Sequence, residues 1–375
     1  MRFLHLQSSF HAGGKELRTA QLINAFGPGI AHTIVSAQPG AFGAASAIAP
    51  AMNTSYPAEF PALAGRARPA RLRRLAQAMA GYDLVLTYNW GAMDAVLAHT
   101  LFCGAMGLAP LVHHEDGFNE DEAGGLKTSR NWYRRLALAR AAALVVPSRQ
   151  LEQIALKVWH QPRSLVQRID NGIETARFAV KPRANALPRL IKRPSELWLG
   201  TLAGLRPVKN LTALVRAFAA LDEPWQLVIV GEGPERDAIG AEALRLGLAH
   251  RVHLPGFVAD PATAVGLFDL FALSSHSEQF PISVVEAMAG GLAVAAPAVG
   301  DLATMVAEAN RPLIAPAGDE AALSAALAGL AGDPALRAEI GAANRALALA
   351  RYDSARMIES YRAVYGAVIG RPLPE

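Results

Sequence analysis

The chain has 375 residues, 52% of them apolar and 18% charged, which is enough to bury two ordinary α/β cores and excludes a disordered or fibrous chain. A formal charge of +4 gives no ground for nucleic-acid binding, and the single cysteine, Cys103, excludes a disulfide framework and a cysteine-based zinc site. Met1–Leu6 lacks the apolar core of a signal peptide and reads as a first buried strand, while the longest uncharged run, Ala95–Val112, is broken by Gly104, Gly107 and Pro110 and reads as helix, turn and strand, with no membrane span.

Short apolar runs alternate with amphipathic stretches along the chain, the mark of βαβ units around parallel sheets. Strands are expected at Phe3–Gln7, His32–Ala37, Leu84–Thr87, Leu111–His114, Leu144–Pro147 and Leu165–Ile169, with helices over Lys15–Ala25 and Gln150–Val158. Gly40–Pro61 has no clear period and is expected to be mostly loop. The run Lys181–Pro188, with Pro194 soon after, breaks the pattern and marks a linker. A second series follows, with strands at Leu197–Leu202, Gln226–Val230, Val252–Leu254, Leu270–Leu273 and Ala293–Ala296 and helices at Val208–Leu221, Glu235–Leu246, Ile282–Ala289 and Glu320–Ala331. The expectation is an α/β protein of two Rossmann-like, doubly wound domains, residues 1–185 and 186–352, with a tail helix in 353–375 crossing back to the first. In such sheets ligands sit at the carboxyl ends of the strands, and a cleft between two of them is the expected site.

The most informative segment is Ser274–Ala289. A buried strand ends at Leu273, a polar loop follows, and a helix opens beside Pro281, where a missing N–H costs nothing. The free amides of Ile282 and Ser283 at such a start favour phosphate. Glu278 stands on the loop and Glu286 eight residues on, inside the helix. Two placed carboxylates accept hydroxyl hydrogens and suit a sugar and a ribose; an acidic residue complementing the helix dipole is the plainer reading.

The setting S-E-x-F-P-x-S-x-x-E-A-M-A-x-G resembles the retaining glycosyltransferases of the two-Rossmann (GT-B) type, specifically the large family four. The resemblance extends over most of the chain. His11–Glu16 is similar to the family's first glycine loop, Val146–Arg149 to its V-x-S strand end, and Ile169–Ile173 with Phe178 to its N-G-I/V-D-x-x-x-F element. Gly231–Glu235 matches its G-x-G-P turn and Leu254–Val258 its P-G-x-V segment. The resemblance implies that Glu278 holds donor-sugar hydroxyls and Glu286 the ribose, and that the backbone from Phe280 through Pro281 and Ile282 to Ser283 lines the sugar and diphosphate. It also implies that Val258 meets the base through its backbone and that Gly13 and Gly14 let the backbone approach the phosphates.

Lys209 matches the family lysine that faces the leaving diphosphate. The family arginine five residues earlier is Gly204 here, and Arg206 stands two positions on, either as its substitute or as a surface arginine. At the end of the fourth expected family strand, His113 best fits a histidine that faces the donor sugar, with His114 as rival. The acids Glu115, Asp116, Glu120, Asp121 and Glu122 read as a solvated loop or as a metal site; the resemblance implies no metal. Arg66, Arg68, Arg71, Arg73 and Arg74 crowd one helix and suggest either contact with an anionic membrane or a solvated face.

The expected function is therefore retaining transfer of a sugar from a UDP- or GDP-linked donor to a glycan, lipid-linked or small-molecule acceptor in surface polysaccharide or glycoconjugate synthesis. No further cofactor is expected, and the expected compartment is the cytoplasm, including the inner face of the membrane. Acceptor contacts are expected from Gly40–Pro61 and Gly117–Gly125. The alternatives are a donor-binding protein without turnover and an epimerase of the same fold.

Overall fold

The computed structural model describes residues 1–118, 122 and 125–374. The chain divides into two compact units, Met1–Asp170 with Met357–Glu375, and Asn171–Arg356. Each is a Rossmann-like parallel sheet flanked by helices.

The first unit holds β1 (Arg2–Gln7), β2 (Ala31–Ser36), β3 (Thr54–Ser55), β4 (Leu84–Tyr88), β5 (Leu111–His114), β6 (Ala143–Val146) and β7 (Val166–Arg168), in the order β3-β2-β1-β4-β5-β6-β7. The central strands β1, β4, β5 and β6 are almost wholly buried because both faces of a parallel sheet are covered. By contrast, β3 is an edge strand of two residues paired with His32 and Thr33 inside the expected loop, too short to show a period. Alternation divides the side chains between two layers. Leu4, Leu6, Val85 and Leu111 pack under helices Pro69–Ala78 and Met93–Met106. Phe3, Leu84, Leu86 and Val112 meet Phe26 of helix Gly14–Phe26 and Met357, Tyr361 and Tyr365 of the C-terminal helix Ser354–Ile369.

The second unit holds β8 (Leu197–Leu202), β9 (Trp225–Val230), β10 (Val252–Gly256), β11 (Leu270–Ala272), β12 (Val294–Pro297) and β13 (Ile314–Ala315), in the order β10-β9-β8-β11-β12-β13. Helix Ile282–Ala289 lies on one face, and helices Leu211–Phe218 and Glu320–Gly332 on the other. Helix Pro334–Arg351 packs on Ile282–Ala289, where Asn344 Nδ2 donates to the Leu292 carbonyl at 2.9 Å and its Oδ1 accepts from the Ala307 amide at 3.0 Å.

Three details depart from the sequence reading. The division falls after Asp170, not after residue 185, because Ile173 exchanges backbone hydrogen bonds with Tyr352 (2.9 Å) and Ser354 (2.8 Å) and Phe178 enters the second core. Those same bonds hold residues 353–356 with the second unit, so the first unit regains the chain only at Met357. The helix expected at Val208–Leu221 is Leu211–Phe218, since a tight turn over Pro207–Lys209 and a left-handed Asn210 (φ 48°) precede it. In the arginine-rich segment the helix starts at Pro69, leaving Arg66 and Arg68 before it. Arg71 is turned inward, bonded to Asp94 at 2.6 Å and to the Ala62 carbonyl at 2.9 Å.

The Tyr365 ring is fully buried and its hydroxyl meets His114 Nε2 at 2.8 Å. Tyr365→Ala should destabilise the first unit by about 3–5 kcal/mol through lost packing, and Tyr365→Phe by about 1 kcal/mol through the lost hydrogen bond. Urea unfolding monitored on the first unit checks both; equal effects would mean that the ring contributes nothing beyond its hydroxyl.

Candidate functional site

In the second unit, the loops after β8 and β11 meet at the carboxyl end of the sheet. Two backbone bonds clamp the loop after β8: Leu205 donates to the Glu232 carbonyl at 2.9 Å, and Glu235 donates to the Leu205 carbonyl at 3.0 Å. Gly231 (φ 143°) and Gly233 (φ 156°) make this possible, because a Cβ at either would collide with the Ala203 or Leu205 carbonyl. The G-E-G-P turn thus serves as the support of the Ala203–Arg206 loop.

The loop after β11 is stitched to the same place. The Ser274 hydroxyl donates to the Lys209 carbonyl at 2.9 Å and the His276 amide to the Val208 carbonyl at 2.9 Å. Lys209 Nζ donates to Glu278 Oε1 at 2.5 Å, and the Ser275 hydroxyl donates to the same oxygen at 2.7 Å. Gly300 (φ 58°) backs this loop so closely that a Cβ would strike the Glu278 carbonyl. Ser275 and Gly300 are therefore site residues that the sequence reading missed. A serine three residues before an acidic one is a faint signal for the first; the second has none, since its neighbour is distant in sequence.

Helix Ile282–Ala289 begins after an extended Pro281 (ψ 104°), and no side chain caps it. The Ile282 and Ser283 amides are thus among the first-turn donors that a helix cannot satisfy itself, and the loop that carries Glu278 leads directly into them. The Phe280 side chain is buried, edge-on to Tyr352 with centroids 5.7 Å apart, so only its backbone is available to a ligand. Val258 is half-buried against the same core. Glu286 is half-buried inside the helix, and burial together with the Asp260 carboxylate pushes it up to about 7.

Arg206 is exposed and its backbone is extended (φ −118°, ψ 154°). Its Nε lies 3.5 Å from the place where a Cβ on residue 204 would stand. The guanidinium therefore lies over Gly204, in the space a side chain there would enter, and no ion pair holds it among the described residues.

In the first unit, Gly13 precedes helix Gly14–Phe26, and a Cβ on it would stand 2.7 Å from Glu16 Oε2. Buried Glu16 in turn accepts from Ser9 Oγ at 3.0 Å and from Lys15 Nζ, so the glycine loop is braced from within. At the end of β5 the two histidines separate by alternation. His114 faces the C-terminal helix, stacked on Tyr88 (4.5 Å) and bonded to Tyr365; burial and the Arg18 charge push it down to about 3. It is a core residue. His113 faces the opposite layer. Its Nδ1 meets the Thr87 hydroxyl at 2.8 Å and its Nε2 has no hydrogen-bond partner, lying 3.9 Å from Glu115.

The acidic loop is largely committed to arginines. Asp116 takes both Arg18 terminal nitrogens (2.5 and 2.9 Å), Glu115 accepts from Arg134 Nε at 3.2 Å, and Glu122 accepts from Arg134 and Arg130. Fully buried Arg134 sits among the rings of Trp90, Phe118 and Trp159 at 4.9–5.2 Å. Glu120 and Asp121, and most of Gly117–Gly125, lie outside the described residues. Among the described residues no group of three His, Cys, Asp or Glu is placed to hold a metal ion.

Two family models match in tandem: "Glycosyl transferase 4-like domain" over residues 13–172 and "Glycosyl transferases group 1" over residues 188–347. The chain belongs to the family-four glycosyltransferases of the GT-B fold. It is 28% identical over 251 residues to 2-deoxystreptamine N-acetyl-D-glucosaminyltransferase of Streptomyces fradiae, covering 63% of this chain and 59% of that one. The chain spans roughly half the length of the curated relatives it matches. The fold is shared with HepE of Anabaena, solved in complex with UDP (TM-score 0.80, 21% identity, 98% of this chain and 100% of that one). It is shared as well with sucrose-phosphate synthase of Thermosynechococcus elongatus (TM-score 0.75, 21% identity, 99% and 100%).

The raised Glu286 has a signed consequence. Its carboxyl holds a proton in the folded chain at pH values where the unfolded chain has lost it, so this group's contribution to stability falls as pH rises from about 4.5 to about 7. Glu286→Gln should therefore raise the second unit's melting temperature at pH 8 and leave it nearly unchanged at pH 4. A gain of equal size at both pH values would show that ionisation is not the cause.

Proposed function

We propose that this chain transfers a sugar from a UDP- or GDP-linked donor to a hydroxyl of a glycan, lipid-linked or small-molecule acceptor, with retention at the anomeric carbon. The observation that carries the reading is the Lys209–Glu278 pair, whose carboxylate stands on the loop that leads into the uncapped start of helix Ile282–Ala289, with Glu286 on the same helix. A cation, two free amides and two carboxylates are the donors and acceptors that a diphosphate flanked by two polyols requires. The UDP bound to HepE and the sugar-transfer names of the relatives support the same reading.

In this proposal Lys209 and the Ile282 and Ser283 amides take the diphosphate, Glu278 accepts sugar hydroxyls and Glu286 ribose hydroxyls. Val258 meets the base through its backbone, and the resemblance assigns Gly13 and Gly14 to the phosphates and His113 to the sugar. Arg206, lying over Gly204, supplies the guanidinium that residue 204 lacks; its planar fork fits phosphate oxygens as an ammonium cannot. The acceptor oxygen bonds to the anomeric carbon as the carbon–oxygen bond to the diphosphate breaks, and the acceptor proton passes to the departing phosphate oxygen on the same face. The main work of the chain is to stabilise charge on that leaving group and to orient the reactants. Metal independence, a role in surface polysaccharide or glycoconjugate synthesis and a cytoplasmic site belong to the same proposal.

A thermal-shift screen of UDP- and GDP-sugars tests it: a true donor at about 100 times its dissociation constant should stabilise the second unit by roughly 2.7 kcal/mol. Binding without donor hydrolysis or transfer would leave a binding protein.

Three variants assign the roles. Glu286→Ala should weaken the bare nucleotide and the intact donor alike, by on the order of 1.5–3 kcal/mol, whereas Glu278→Ala should weaken the intact donor more; calorimetry with both ligands separates them. Arg206→Ala should lower turnover by about tenfold, equivalent to about 1.4 kcal/mol of barrier. A silent Arg206→Ala together with a faster Gly204→Arg would contradict the substitution of one arginine by the other.

A further inference from the structure

Helices Pro69–Ala78, Met93–Met106 and Thr128–Ala137 of the first unit pack side by side. Arg71 and the Tyr133 hydroxyl share the Asp94 carboxylate, and the Thr100 hydroxyl donates to the Ala137 carbonyl at 2.5 Å. All three bury their apolar sides in one core layer, so their outer sides face the same way. Those outer sides are unusual in two respects.

Large apolar side chains stand exposed: Leu101 at 55%, Trp132 at 63% and Leu136 at 59%. Trp132 and Leu136 are one helical turn apart, and the Thr100–Ala137 bond brings Leu101 to the same seam. Arg73, Arg74 and Arg135 on these helices, and Arg66, Arg68 and Arg140 just beyond their ends, are all exposed and, among the described residues, none has a carboxylate partner. The one acid on the three helices is Asp94, which Arg71 already neutralises. On a chain whose total formal charge is only +4, this is a strongly one-sided distribution.

We propose that this three-helix face docks on an anionic lipid surface. Trp132, Leu136 and Leu101 enter the headgroup boundary, and the arginines meet the lipid phosphates. A second copy of the chain is the poorer occupant, because a two-fold contact would set the same arginines against one another. The proposal does not depend on the donor reading. No helix among the described residues is long and apolar enough to cross a membrane, so attachment would be peripheral.

The full chain is sedimented with phosphatidylcholine vesicles, pure or containing about one third phosphatidylglycerol. Binding to the anionic vesicles alone, weakening with salt, is expected. Trp132→Ser with Leu136→Ser, and separately Arg73→Glu with Arg74→Glu, should each lower the partition coefficient by on the order of tenfold, with melting temperature unchanged. Equal binding to both vesicle types, no binding to either, or full binding by both variants would overturn the proposal. So would a dimer in size-exclusion chromatography that the Trp132 and Leu136 changes disperse, which would make the face an interface between copies.

Discussion

The contact between the Lys209 ammonium and the Glu278 carboxylate governs what the second unit's loop edge can hold. It joins a loop after β8 to a loop after β11, two strands that are neighbours in the sheet but far apart in the chain. Each charge orients and neutralises the other, and the Ser275 hydroxyl holds the same carboxylate oxygen. The glycines at 231, 233 and 300 matter because they allow backbone to come close enough behind these loops to fix them; the pair depends on that support more than on its own attraction, which near solvent is modest.

The first unit handles buried polarity differently. Its core contains a network in which His5 joins Tyr88 (3.1 Å) and His32 (2.9 Å), and Arg18 grips Asp116 beneath Tyr361. Burial lowers His5 and brings His32 down to about 4, so the histidines contribute as neutral hydrogen-bonding rings. On the opposite layer buried Arg134 is held instead by the Glu115 and Glu122 carboxylates and three aromatic faces. The C-terminal helix covers the first network and takes part in it through Tyr365.

Most strands were legible in the sequence because doubly covered parallel strands are continuous apolar runs. Helix Ile282–Ala289 was legible to the residue, since Pro281 and the polar loop mark its start. Helix Pro334–Arg351 was not, because alanines on its buried and exposed sides erase the contrast that a period requires. Of the site, the charged side chains could be named from spacing and resemblance. What spacing could not supply was long-range partnership: Ser274 on Lys209, Asp260 opposite Glu286, and Gly300 behind Glu278. The linker was misplaced for a related reason. Proline marks where regular structure stops, but the boundary is set by Ile173 pairing with a segment nearly two hundred residues later.

That pairing makes the second unit an insertion, with its two ends held together inside a first unit that is discontinuous in the chain. Synthesis on the ribosome proceeds from one end, so the order of completion is fixed. The whole of Asn171–Arg356 emerges before the rest of helix Ser354–Ile369 does, and the second unit can finish folding while the first still lacks Met357, Tyr361 and Tyr365. Throughout that interval the sheet face of Phe3, Leu84, Leu86 and Val112 is covered by helix Gly14–Phe26 but not by Met357, Tyr361 and Tyr365. A first unit that still lacks helix Ser354–Ile369 exposes apolar surface and is thereby prone to aggregate, and the docking of that helix completes it.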